Sequence, residues 1–227
     1  GLDGVIAIGG DGTFRGARAL SKFGVNVIGI PATIDNDIAC TRYCIGFDTA
    51  ANTAVSCIDR LRDTMQSHER CSVVEVMGRN AGYLALAVGL ASGATAVLVP
   101  ERPTKIDDLV ETIREARLNG RTHYMIVVAE GVGNTAEIVQ QIKEKMGIEV
   151  RLTVLGHIQR GGSPTVRDRL IATQMGYHAV ALLAEGKTNR IVCCKSEQIH
   201  DVDMDEGLEM TKHIDPDQFR VLRAMTR

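Results

Sequence analysis

The chain has 227 residues, 44% of them hydrophobic and 24% charged, with a formal net charge of −2, which suits a globular protein of one large domain or two modest ones. That balance leaves no basic surplus for nucleic acid, and without tryptophan stacking platforms for single strands are poorly supplied. No apolar run is long enough for a bilayer, and cysteines at 40, 44, 57, 71, 193 and 194 fit neither a zinc knuckle nor a secreted disulfide framework, so a reduced, cytoplasmic chain is expected.

In chain order, Val5 to Ile8 reads as a strand, Thr13 to Leu20 as a helix and Val25 to Ile30 as the next strand. Asp48 is a candidate cap for a helix carrying Ala51, Val55, Ile58, Leu61 and Met65 at three- and four-residue spacing. Ser72 to Val76 (strand), Asn80 to Leu90 (helix) and Thr95 to Val99 (strand) follow. Asp107 to Leu118 is amphipathic and stops at Asn119-Gly120. His123 to Ala129 reads as a buried strand, Thr135 to Met146 as a helix ending at Gly147, and Val150 to Leu155 as a strand. Ser163-Pro164 offers a cap and a first-turn proline for a long helix running to Gly186. Such alternation predicts an α/β fold with mainly parallel sheets, whose ligand crevices lie beyond the carboxyl ends of the strands. No linker divides the chain, so any domain boundary falls in short loops.

Five loops directly follow strands and carry glycine or charge: Gly9 to Thr13, Pro31 to Asp37, Gly78-Arg79, Glu130-Gly131 and Gly156 to Gly162. Gly9-Gly10-Asp11-Gly12-Thr13 lets backbone amides approach a polyanion, and Asp11 can hold Mg²⁺ together with phosphate oxygens. The alternative is a plain strand-to-helix turn. Asp35 and Asp37, two apart, point the same way if their segment is extended; otherwise they shape an Asx-turn. Arg70, Arg79, Arg151 and Arg160 read as phosphate ligands after strands, or singly as solvated side chains. His157 is a phosphate contact or a structural histidine.

Taken together, GGDGT, Pro31-Ala32-Thr33-Ile34-Asp35-Asn36-Asp37, Ile45 to Ala50, Glu75 to Arg79, Ala129 to Gly131 and Val154 to Pro164 resemble bacterial-type ATP-dependent 6-phosphofructokinases over nearly the whole chain. GGDGT is shared with other kinases; TIDND with GHIQRGGSP is the specific pair. The resemblance implies two three-layer α/β domains, an ATP/Mg domain of residues 1–46 plus 159–208 and a fructose 6-phosphate domain of residues 47–158 plus 209–227. It implies Asp11 at the Mg²⁺, with Gly10, Gly12, Thr13 and Gly16 on the ATP side. Asp35 is then the base for the sugar 1-hydroxyl, with Thr33 and Asp37 organising its loop, and Arg79 the cation at the transferring phosphoryl group. Met77, Gly78 and Glu130 contact the sugar, and His157 and Arg160 hold its 6-phosphate. Arg70 and Arg151 correspond to arginines that reach a neighbouring subunit's site in a homotetramer.

The family's opening glycine turn and phosphate-binding arginine are not in this sequence, so the 227 residues alone are expected to be poorly active, as a fragment or processed chain. Where regulated members carry an acidic metal ligand and two lysines, this chain has Thr95, Asn119 and Arg121, although Arg62 matches an effector arginine. The usual allosteric control is therefore not expected. Two other readings remain open here: pyrophosphate as the donor, and a non-catalytic, sugar-phosphate-binding regulatory subunit.

Overall fold

Strand and helix alternate along residues 1–63 and 70–226, the part of the chain described by the computed structural model. The expected helical position Met65 lies outside the described residues. In chain order the elements are β1 (Val5–Gly9), α1 (Asp11–Ser21), β2 (Val27–Pro31), α2 (Phe47–Asp63), β3 (Arg70–Val76), α3 (Tyr83–Ala91), β4 (Ala96–Leu98), α4 (Ile106–Leu118), β5 (His123–Ala129), α5 (Thr135–Met146), β6 (Glu149–Val154), α6 (Val166–Ala184), β7 (Arg190–Lys195), β8 (Gln198–Asp203), α7 (Met204–Glu209) and α8 (Pro216–Thr226). They divide into two compact units, Gly1–Thr49 with Ser163–His213, and Ala50–Gly162 with Ile214–Arg227.

In the first unit the strand order is β1-β2-β7-β8, with β8 antiparallel to β7 and the other pairs parallel. All five residues of β2 are buried, which explains its unbroken apolar run: a parallel strand covered on both faces has no polar side. Ile28, Ile30, Val192 and Cys194 pack with Ile171, Met175, Ala179 and Leu182 of α6. Their strand neighbours Val27, Ile191 and Cys193 pack instead with Phe14 and Ala17 of α1 and with Met204 of α7. The period of two thus assigns successive residues to opposite layers.

The second unit has a parallel sheet of order β4-β5-β3-β6. Cys71, Val73, Tyr124, Ile126 and Val128 form one core with Leu109, Ile113 and Ala116 of α4 and Ile142 of α5. A side chain of this size is worth about 1.5–3 kcal/mol when fully buried, so the sheet faces, and not the loops, hold the unit together. No described helix is long and apolar enough to cross a membrane.

Several element starts differ from the sequence expectation, each for a physical reason. Helix α1 begins at Asp11, so Gly12 and Thr13 belong to its first turn and not to a separate loop. Asp48 is not a cap; it lies in the first turn of α2. The donors there are satisfied from another element, since Asp168 accepts from the backbone N–H groups of Gly46 and Thr49 at 2.7 and 2.9 Å. Helix α3 begins at Tyr83 and not Asn80, because Gly78 and Arg79 take positive φ, 139° and 56°. Helix α6 is capped by Thr165, whose side chain accepts from Asp168 N–H, and not by Ser163-Pro164.

The β7–β8 hairpin carries no turn signal in sequence. Its turn residues, Ser196 and Glu197, both have positive φ, 52° and 62°, a pair of conformations that Asn-Gly ordinarily announces.

Candidate active site

The first group of expected site residues gathers at the carboxyl ends of β1 and β2. The register ends at Gly9↔Pro31, and Ala32 N–H donates to the Gly9 carbonyl at 2.9 Å. A Cβ on Gly10 would stand 3.6 Å from the Thr33 side chain, so the Asp11 turn and the Asp35 loop lie side by side. No side chain caps the amino end of α1, and the early backbone N–H groups of an uncapped helix start are suited to an anion. A Cβ at Gly12 or Gly16 would meet nothing within 4 Å. Asp11 is 41% exposed and accepts from Arg15 Nε at 2.7 Å.

The loop holding Asp35 and Asp37 is not extended, so the two carboxylates are not aligned by strand alternation as the sequence suggested. Ile34 and Asp35 form a turn, with Asp35 N–H donating to Thr33 Oγ1 at 3.2 Å. Asn36 between the carboxylates is left-handed, φ 51°. Its side chain fixes that conformation by accepting from Cys44 N–H at 3.0 Å and donating to the Arg42 carbonyl at 3.3 Å. Asn is the non-glycine residue best able to adopt this geometry.

A second group gathers in the other unit at the carboxyl ends of β5, β3 and β6, which are adjacent in that order. Glu130 Oε1 accepts from Gly78 N–H at 3.2 Å and Arg79 N–H at 2.7 Å. Close approach demands glycine at two positions: a Cβ on Gly131 would sit 2.4 Å from the Arg79 carbonyl, and one on Gly78 2.5 Å from that of Ala81. One carboxylate therefore sets the Met77-Gly78-Arg79 backbone, with Arg79 exposed and Met77 buried. After β6, a 3₁₀ turn over Gly156–Arg160 presents His157 and Arg160 to solvent.

Arg70 and Arg151 do not join this group, and neither follows a strand as the sequence reading had it. Arg70 opens β3, and Arg151 is the third residue of β6, whose first residue pairs with Arg70. Both guanidinium groups bind Glu149, Arg70 Nε at 3.1 Å and Arg151 Nε at 2.8 Å, and the arginines hold its carboxyl below the usual carboxylate range. Six steps of ~3.3 Å along β3 put ~20 Å between Arg70 and Val76, the residue before Met77.

Two residues that the sequence reading missed position the others. Gln159, buried inside the GHIQR turn, accepts from Met77 N–H at 3.2 Å and donates to the Gly156 carbonyl at 3.0 Å. Asp168 was legible as the fourth residue of Thr165-Val166-Arg167-Asp168, the spacing of a capping box. At the expected effector positions, Thr95 is buried with Oγ1 accepting from Met125 N–H at 3.2 Å, Arg62 donates to the Ser92 carbonyl and Arg121 to that of Met225.

The donor set fits Mg²⁺ delivered with a polyphosphate. Among the described residues no three His, Cys, Asp or Glu side chains converge as a metal cage, and Mg²⁺ needs only one or two carboxylates when phosphate oxygens and water complete its shell. Asp11, partly exposed at an uncapped helix start, has the oxygen chemistry that such a shell takes.

Comparison with known proteins agrees with this geometry. The family model described as phosphofructokinase matches residues 1–183. The ATP-dependent 6-phosphofructokinase 1 of Clostridium perfringens is 52% identical over all 227 residues, which span 71% of that protein. The phosphofructokinase structure from Pichia pastoris in the T-state aligns with a TM-score of 0.87 at 29% identity, covering 100% of this chain and 29% of that one. The structure from Saccharomyces cerevisiae aligns at 0.84 and 29% identity, covering 92% and 32%.

Proposed function

The chain belongs to the phosphofructokinase family, and we propose that it transfers the terminal phosphoryl group of MgATP to the 1-hydroxyl of fructose 6-phosphate, giving fructose 1,6-bisphosphate and ADP in glycolysis. The observation that carries this reading is the contact of the glycine-flanked Asp11 turn with the Thr33–Asp37 loop on adjacent strands. A phosphate and metal cradle there lies beside a carboxylate able to take a proton. The 52% identical relative supports ATP over pyrophosphate.

Asp11 would hold the Mg²⁺ of the incoming nucleotide, while Gly10, Gly12, Thr13 and Gly16 would leave room for its phosphates. Mg²⁺ held there would supply positive charge against the phosphate oxygens. Asp35 accepts the proton of the 1-hydroxyl as that oxygen attacks the γ-phosphorus in line. Thr33 holds the Asp35 turn from within, and Asp37 completes the loop. On the acceptor side, Met77, Gly78 and Glu130 contact the sugar and Arg79 offsets charge on the transferring group. His157 and Arg160 take the 6-phosphate. Little covalent chemistry is asked of the protein, so alignment, cations and one base suffice.

Arg70 and Arg151 pair with Glu149 and stand apart from the Met77–Glu130 group, which is consistent with their serving another copy's 6-phosphate in a homo-oligomer, a tetramer as the resemblance implies.

Steady-state turnover of the complete gene product, offered fructose 6-phosphate with ATP and then with pyrophosphate, tests the reading. Fructose 1,6-bisphosphate formed with ATP is the expected result. Formation with pyrophosphate alone, or sugar-phosphate binding without turnover, would overturn it in favour of the other donor or of a regulatory subunit.

A further inference from the structure

We infer that Lys212 is a positioning residue for the phosphoryl-transfer loop: its ammonium clamps the carbonyl of Asn36 and so fixes the peptide that leads from the left-handed Asn36 into Asp37, stiffening the loop that carries Asp35. The inference rests on the reading of Asp35 as the base.

Lys212 comes from the irregular segment that follows α7, yet its Nζ donates to the Asn36 carbonyl at 2.6 Å. This is the residue with φ 51°, and its side chain is already held by Cys44 N–H and the Arg42 carbonyl. The peptide unit between Asn36 and Asp37 can still turn about ψ of Asn36 and φ of Asp37 while those side-chain bonds persist. A bond to the carbonyl removes that freedom. It completes a series, because Thr33 Oγ1 holds Asp35 N–H, the Asn36 side chain holds its own Cα, and Lys212 holds the peptide that leads into Asp37.

The choice of an ammonium is costly enough to need a reason. Burial pushes the Lys212 pKa down, against the pull of Cys44, Asp37 and Cys40, and Arg42 adds to the downward push. A neutral amide could satisfy one carbonyl at lower desolvation cost. A charged donor gives a shorter, stiffer bond and a positive field beside Asp37, in the loop that carries the base. Such stiffness is what a general base requires, since small misplacements of a reacting group cost rate far more than they cost binding.

The test uses the complete gene product with Lys212→Met, Lys212→Gln and Lys212→Arg. Lys212→Met should lower kcat at least tenfold while KM for fructose 6-phosphate and for ATP stays within about twofold, the pattern of an interaction that matters to the transition state and not to ground-state binding. Lys212→Arg, still a cationic donor, should recover most of that kcat. Lys212→Gln should fall near Lys212→Met. A Lys212→Met enzyme with near-wild-type kcat, or one impaired only in KM, would overturn the inference. If Lys212→Met does not fold, the comparison of Arg with Gln decides, and equal kcat in those two would equally overturn it. A wild-type enzyme that fails to phosphorylate fructose 6-phosphate would instead sink the function itself, so the two failures are distinguishable.

Discussion

Tyr43 donates its phenolic hydrogen to Asp168 Oδ1 at 2.6 Å across 125 positions of sequence. The same carboxylate accepts from Gly46 N–H, Thr49 N–H and the Thr49 hydroxyl, tying the loop before α2 to the start of α6. Asp168 is only 2% exposed. Asp168→Ala leaves several donors without an acceptor, each worth about 1–3 kcal/mol, so a loss of about 3 kcal/mol or more in denaturant unfolding is expected. A loss below about 1 kcal/mol would mean that water replaces the carboxylate.

The same site gives a pH dependence. Burial alone would push the Asp168 carboxyl up; the Thr49 and Tyr43 hydroxyls and the N–H groups of Gly46 and Thr49 outweigh it and leave the pKa below its ordinary 3.8. A depressed folded pKa contributes stability that is complete above the unfolded value and drains away as pH falls through the folded one. Unfolding free energy should therefore drop below about pH 4 in the wild type, and less steeply in Asp168→Asn. Identical acid limbs in the two proteins would remove Asp168 from the account.

Much of the fold was legible because each layer wrote its own period. The strand His123 to Ala129 and the helix Thr135 to Met146 appear with the expected bounds, the first as a run of buried apolar residues, the second between Asn134 and Gly147, both at positive φ. The β7–β8 hairpin was not legible, since Ser196 and Glu197 turn without glycine or asparagine. Loop motifs announced the candidate site, but the partners that hold it did not. Lys212 lies 176 positions from Asn36, and no local pattern links them. The sequence left Asp35 and Asp37 either aligned on an extended segment or shaping a turn, and the non-extended form prevails because the Asn36 side chain supports a left-handed residue between them.

Asp35 and Asp11 should separate in kinetics. Asp35→Asn, nearly isosteric, should lower kcat by on the order of 10² to 10⁴ with sugar-phosphate binding largely kept. Asp11→Asn should instead change the dependence of rate on Mg²⁺ concentration. Turnover near wild type in Asp35→Asn would place the base elsewhere.

Shared sites make a further expectation. An Arg151→Ala chain and an Asp35→Asn chain, each impaired alone, should regain activity when co-assembled, because some sites receive an intact base and an intact arginine from different copies. The physical basis is that Arg151 and Arg70 are both engaged with Glu149 and stand apart from the Met77–Glu130 group of their own chain. Verified mixed oligomers without recovery would count against it.

The donor is the last expectation, and Gly12 decides it. In pyrophosphate-using relatives, as the sequence resemblance implies, an aspartate occupies this position and a lysine precedes the threonine of TIDND; here the residues are Gly12 and Ala32. Gly12 sits in the first turn of α1, and a Cβ there would meet nothing within 4 Å. An acidic side chain in a helix's first turn also suits the helix dipole. Gly12→Asp should therefore fold as well as the wild type, which separates its effect on donor choice from any effect on stability. Its carboxylate would occupy the open space beside Asp11 and repel the α-phosphate of a nucleotide, so kcat/KM for ATP should fall more than tenfold, about 1.4 kcal/mol per decade. The unmodified enzyme should prefer ATP to pyrophosphate by well over that factor. Equal rates with the two donors in the wild type, or undiminished use of ATP by a folded Gly12→Asp enzyme, would show that the space at Gly12 does not select the nucleotide.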